Sequence, residues 1–180
     1  MHGIFRRAQH VWGLPTNPAA SVEKYCQRSS GDIDVLTPEE VLALVRAAGS
    51  EQDAAIYRLA AFTGLRRGEL LALRWRDVDF AGSVVRVRAS YAAGQLTTPK
   101  SGKVRSVPMA PDVAAALTRL GQRTNWVGDD DLVFPGEAGD CLDGSALRRR
   151  YTAALARAGL RPLRFHDLRH LADARVMRPV

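Results

Sequence analysis

The sequence predicts an α+β domain, mainly helical, with a small three-stranded antiparallel sheet. Apolar residues recur at helical spacing behind start signals at Thr37, at Ser50, at Pro111-Asp112 and at Asp143 or Ser145. After Trp75 the period shortens to two, with Val85, Val87 and Ala89 alternating with Arg86 and Arg88 as in a half-buried strand. Two more short strands, 95–98 and 104–107, flank the turn Pro99-Lys100-Ser101-Gly102.

The elements follow in order. Residues 1–11 read as a basic amphipathic helix with Ile4, Phe5, Ala8, Val11 and Trp12 along one side, and Gly13, Pro15 and Pro18 end it. Such a piece carries too little apolar surface to stand as a domain. Residues 19–35 are polar, are broken by Ser29, Ser30 and Gly31, and read as a linker. A compact domain is expected over 36–180. Thr37-Pro38-Glu39-Glu40 is a capping box, followed by Val41, Leu42, Leu44, Val45 and Ala48 at helical spacing. Ser50 caps a second helix through Phe62, which Gly64 ends by taking a left-handed backbone. A third helix begins near Arg66. Val113, Ala116, Leu117 and Leu120 form the apolar face of the next. A long helix follows through Ala158, and a final one starts near His166-Asp167.

The bulk numbers fit one medium domain, or a domain plus a fragment. The chain has 180 residues, 46% hydrophobic and 25% charged, and a formal net charge of +7 that favours polyanionic partners. Cys26 and Cys141 have no metal-ligand spacing and read as free thiols of a reducing cytoplasm. No apolar run reaches the length of a membrane span, so no membrane partner is expected. The basic residues are mostly arginine: the lysines are Lys24, Lys100 and Lys103, against 26 Lys and Arg together.

Three stretches carry chemistry. In the first, Thr63-Gly64-Leu65-Arg66-Arg67-Gly68-Glu69-Leu70, an arginine sits at a helix N-terminus, where positive charge has the wrong sign. An external anion such as a phosphate makes that arrangement favourable. The alternative is a helix-turn-helix corner with solvated arginines. In the second, around Lys100, a hairpin tip holds a lysine in a chain that otherwise prefers arginine. Lysine can donate a proton to a leaving oxygen, whereas arginine is a poor donor because it holds its proton too tightly. Lys103 reads as a plain phosphate contact. In the third, Phe165-His166-Asp167-Leu168-Arg169-His170, His166 and Arg169 are spaced to share a helix face. The run Arg148-Arg149-Arg150, with Arg67, supplies further phosphate contacts.

The extended first box, through Leu73, Trp75, Asp77 and Val78, resembles the first arginine box of the tyrosine recombinases, or phage-type integrases. The Lys100 hairpin resembles the family's lysine hairpin, and His166-x-x-Arg169 its second histidine–arginine box. The resemblance covers about 36–170. It implies an integrase-like catalytic fold and a site-specific recombinase or integrase that cleaves and rejoins double-stranded DNA through a 3′-phosphotyrosine. Arg66, Lys100, His166 and Arg169 would be catalytic and Glu69 supporting. No metal or nucleotide cofactor is implied. The partner is duplex DNA, with a homo-oligomer or an intact recombinase subunit assembled on it. Residues 1–18 resemble the last helix of the DNA-clamping domain that precedes the catalytic domain.

The resemblance breaks at the nucleophile. Tyr25, Tyr57, Tyr91 and Tyr151 all precede the third box, and 171–180 are more charged than the family's continuation. The expectation is a truncated or frame-shifted fragment, inactive alone. The other reading is a catalytically inactive DNA-binding remnant or accessory protein. A transcription regulator fits the Gly64 corner but needs neither the Lys100 hairpin nor His166-x-x-Arg169.

Overall fold

The computed structural model describes residues 2–22, 35–98 and 104–172. The chain divides into two compact units, 1–33 and 34–180. In the first unit α1 spans His2–Trp12, and Ile4, Val11 and Trp12 are exposed on it. Gly13 leaves the helix with a left-handed backbone.

In the second unit α2 (Pro38–Arg46) starts at a complete capping box: Thr37 Oγ1 accepts from the Glu40 N–H, and Glu40 accepts from the Thr37 N–H. Ser50 caps α3 (Glu51–Thr63), which Gly64 closes at φ +65°. The short α4 (Arg67–Leu71) follows at once. A 3-10 turn, Trp75–Asp77, leads into β1 (Val78–Asp79), β2 (Val84–Val87), β3 (Ser90–Ala92), β4 (Gln95–Thr97) and β5 (Arg105–Pro108). Pro111 opens α5 (Pro111–Leu120), and Asp143 caps α6 (Gly144–Arg157) through the N–H groups of Ser145 and Ala146.

The fold is the mainly helical α+β arrangement expected, but the sheet is assembled differently. The three-stranded antiparallel sheet has the order β1–β2–β5, with Val85 opposite Val107. Segment 95–97 pairs instead with 90–92. The cause is the two-residue turn Ala93-Gly94, where both residues have positive φ. That turn matches the twist of a tight hairpin and commits β4 to β3.

α3 is the central element. It packs against α2, α5 and the 3-10 turn Phe165–Arg169. Ile56, Tyr57, Leu59, Ala60 and Ala61 on it are fully buried, with Leu44, Leu117, Phe134 and Leu147 among their cluster. The loop after α5 is held by Arg123. Its guanidinium donates to the carbonyls of Leu132, Val133 and Trp126 and lies over the Trp75 ring. Among the described residues no helix is long and apolar enough to cross a membrane.

Candidate phosphate-binding site

Arg66 is the N-cap residue of α4, with its side chain 45% exposed. The wrong-sign charge at this helix start is offset by Glu69, whose carboxylate accepts from the Arg66 N–H at 2.8 Å and from Arg66 Nη1 at 3.2 Å. Glu69 is 1% exposed. A buried carboxylate needs more than one long hydrogen bond to stay ionised. The second source is Arg105 on β5, which forks onto both oxygens at 2.8 Å. Burial alone would raise the Glu69 carboxyl, but the Arg105 fork and the Arg66 N–H hold it below its usual range.

A depressed carboxyl stabilises the fold above its unfolded pKa, and that contribution is lost as pH falls through the lower folded value. Thermal melting of the wild type and of Glu69→Gln, followed from neutral pH downward, is therefore expected to converge below the ordinary carboxyl value of 4.5. A constant gap would show that Glu69 is not held ionised by the fold.

The glycines of the first box have separate roles. Gly64 allows the left-handed end of α3, and a Cβ there would meet Ala172 Cβ at 3.3 Å and the Arg169 carbonyl at 3.8 Å. Gly64 therefore brings the arginine corner against the segment that carries the third box. A Cβ on Gly68 would meet the Tyr91 carbonyl and Ser90 Oγ at 2.6 Å, so only glycine lets α4 approach β3 this closely.

His166 and Arg169 lie in the 3-10 turn, where residues three apart still align on one face. His166 is exposed. Burial of its ring and then the Arg169 charge lower its pKa, which favours the neutral imidazole. The turn is fixed from both sides. Buried Asp167 accepts from Arg164 Nε at 2.8 Å and Nη2 at 3.1 Å. Phe165 meets Tyr151 edge-on at 5.3 Å and Tyr57 at 6.4 Å.

The predicted basic residues divide. Arg67, Arg148, Arg164 and His166 line one groove, and Arg67, Arg148 and Arg149 line an adjoining one along α6. Arg150 faces the other way: its Nε donates to both oxygens of Asp53, which is 1% exposed, at 2.8 and 3.1 Å. Lys100 and Lys103 lie outside the described residues. Arg105 was not singled out by the sequence. The one signal for it was that a carboxylate three residues into a helix, inside an apolar run, requires a buried cation.

Of the tyrosines, Tyr25 lies outside the described residues, and Tyr91 is in β3. Tyr57 and Tyr151 are buried, with hydroxyls that have no hydrogen-bond partner among the described residues. Burial pushes both phenols well above the usual range. Tyr151→Phe, which deletes an unsatisfied buried hydroxyl, is expected to leave stability unchanged or raise it by about 1 kcal/mol in a thermal melt. A clear loss would show that the hydroxyl has a partner.

This fold and these boxes define a tyrosine-recombinase catalytic domain. The phage integrase family matches residues 34–178, and the chain belongs to that family. It is 34% identical over 175 residues to a tyrosine recombinase XerC of Xanthomonas campestris, covering 91% of this chain and 50% of that protein. It is 33% identical over 165 residues to a prophage phiRv2 integrase of Mycobacterium tuberculosis, covering 87% and 44%. The chain thus spans about half the length of these curated relatives. Among solved structures, XerA recombinase superposes with a TM-score of 0.63 at 29% identity, over 79% of this chain and 50% of that one. The Tn1549 transposon integrase, solved in complex with transposon right end DNA, has the same fold. Its TM-score is 0.74 at 20% identity, over 97% of this chain and 63% of that one.

Proposed function

We propose that this chain binds duplex DNA and that Arg66, His166 and Arg169, together with Lys100, form the phosphodiester site of a site-specific DNA recombinase. The observation that carries the reading is the contact of Gly64 with the Arg169 segment, alongside a groove shared by Arg67 and His166. This proximity supports a site shared by boxes a hundred residues apart in sequence, although neither Arg66 nor Arg169 lines the groove itself.

Attack on a phosphodiester builds negative charge on its nonbridging oxygens. Arg66 and Arg169 stabilise that charge through paired N–H bonds, and neutral His166 adds a hydrogen bond or accepts a proton. Lys100 delivers a proton to the leaving 5′-oxygen. Arg67, Arg148, Arg149 and Lys103 hold the flanking backbone and carry no base code. Arg150, engaged by Asp53, contributes least to DNA. The attacking group is none of Tyr57, Tyr91 and Tyr151. Two of these are buried with raised pKa values, and Tyr91 belongs to the strand against α4. These three tyrosines therefore do not attack, and a further recombinase subunit on the DNA would supply the nucleophile.

The test incubates the purified chain with labelled nicked duplex and resolves the mixture under denaturing conditions. Binding without a denaturant-resistant adduct is expected. An adduct that disappears in Tyr151→Phe would make Tyr151 the nucleophile and overturn this reading.

A further inference from the structure

Four N–H groups converge on the Glu69 carboxylate, and they are unequal. Arg105 presents two parallel bonds of 2.8 Å, the geometry in which a guanidinium best matches a carboxylate. The Arg66 side chain makes a single longer contact of 3.2 Å, and its remaining donors stay uncommitted to Glu69. Arg105 is 35% exposed and Glu69 1% exposed, whereas the Arg66 side chain is 45% exposed. Glu69 is thus paired more closely with Arg105, and the more exposed Arg66 makes the weaker ion pair and keeps donors uncommitted to it.

Among the described residues the same carboxylate, without Arg105, has Arg66 as its one remaining cation. Glu69 and Arg66 are three residues apart across the start of α4, already in contact, and would close on each other as a neutral pair. Arg66 would then be a structural salt-bridge partner, with its donors turned inward.

We propose that Arg105 is a positioning residue for Arg66: by taking up the Glu69 carboxylate it leaves the Arg66 guanidinium oriented, charged and free to meet a phosphate. Arg105 acts through Glu69 and does not itself touch DNA. The inference rests on the reading of Arg66 as a phosphate ligand.

The experiment measures affinity of the full chain for a short labelled duplex at fixed salt, with a thermal melt of each variant. Arg105→Met is expected to weaken binding about tenfold, as Arg66→Ala does, since each removes one charge-assisted phosphate contact. In Arg66→Ala the further change Arg105→Met has no additional effect. Adding Glu69→Gln to Arg105→Met removes the competing anion and restores most of the affinity. A direct DNA-contacting arginine predicts no such rescue, and a merely structural one predicts a rescue that tracks the melting temperature, with an affinity loss that persists in the Arg66→Ala background. Wild-type affinity in Arg105→Met, or an undiminished loss in the Arg66→Ala background, overturns the proposal.

Should Arg105→Met fail to fold, Arg105→Lys keeps a cation beside Glu69 but cannot present two parallel N–H groups. A loss in that variant that vanishes with Arg66→Ala supports the proposal, and a loss that persists, or none, overturns it. The Arg66→Ala arm separates the two failures. Wild-type affinity there removes the phosphate-ligand reading itself, whereas lowered affinity there with wild-type affinity in Arg105→Met removes only the role of Arg105.

Discussion

Raising monovalent salt from about 50 to about 200 mM is expected to weaken duplex binding by about a hundredfold. The chain carries a formal charge of +7, and Arg67, Arg148 and Arg149 are gathered along one face of α6 beside the arginine corner. Counting the phosphate shared by Arg66 and Arg169 once, the described arginines provide roughly four phosphate contacts, each of which releases about 0.9 of a counterion. His166 adds little to the slope at neutral pH, because partial desolvation and the neighbouring Arg169 lower its pKa and favour the neutral ring. Since no base-reading pattern accompanies these contacts, two unrelated duplexes should give the same slope and nearly the same affinity. A flat salt response, or strong preference for one duplex, would contradict this.

Phe165→Ala is expected to cost about 3 kcal/mol of stability and to lower DNA affinity with it. Phe165 sits one residue before His166, and its ring closes a three-way edge-on cluster with Tyr57 and Tyr151, which lie 5.5 Å apart. Removing it opens a void at the joint between α3, α6 and the third box. The Arg164–Asp167 pair is then left to hold the 3-10 turn, and Arg164 is largely solvated, so that pair holds it weakly. Phe165→Leu fills most of the void and should recover most of the stability and binding. Chemical denaturation of the three proteins, followed by binding titration, checks both. An Ala variant as stable as wild type would show that the aromatic cluster does not anchor the turn.

Much of this was legible in the sequence where the signals are local. Thr37 with Glu40, Ser50, Pro111 and Asp143 each act within one helical turn of themselves, and the four helix starts lie where they place them. Gly64 ends α3 as a left-handed residue because no side chain opposes it. The sheet was misread because pairing is non-local. β1 has two residues and no period to detect, and the Ala93-Gly94 turn hides behind an alanine in a conformation that usually selects asparagine or glycine. Arg148-Arg149-Arg150 looks uniform in sequence, yet α6 turns Arg150 away from the groove toward buried Asp53, 97 residues earlier. Arg105 stayed without a role for the same reason: its partner is 36 residues away. The three boxes nominate site residues by pattern, and nothing in that pattern says which charge satisfies which.

In the proposed site Arg66 and Arg169 act on one phosphate. The most direct measurement is a double-mutant cycle on duplex affinity, using Arg66→Ala, Arg169→Ala and the double variant at one salt concentration. Two arginines that clamp the same phosphate lose their joint effect once either is gone, so the double variant should bind little worse than the weaker single one, a coupling of about 1 kcal/mol or more. Losses that add fully would place the two side chains on separate phosphates and contradict a shared site.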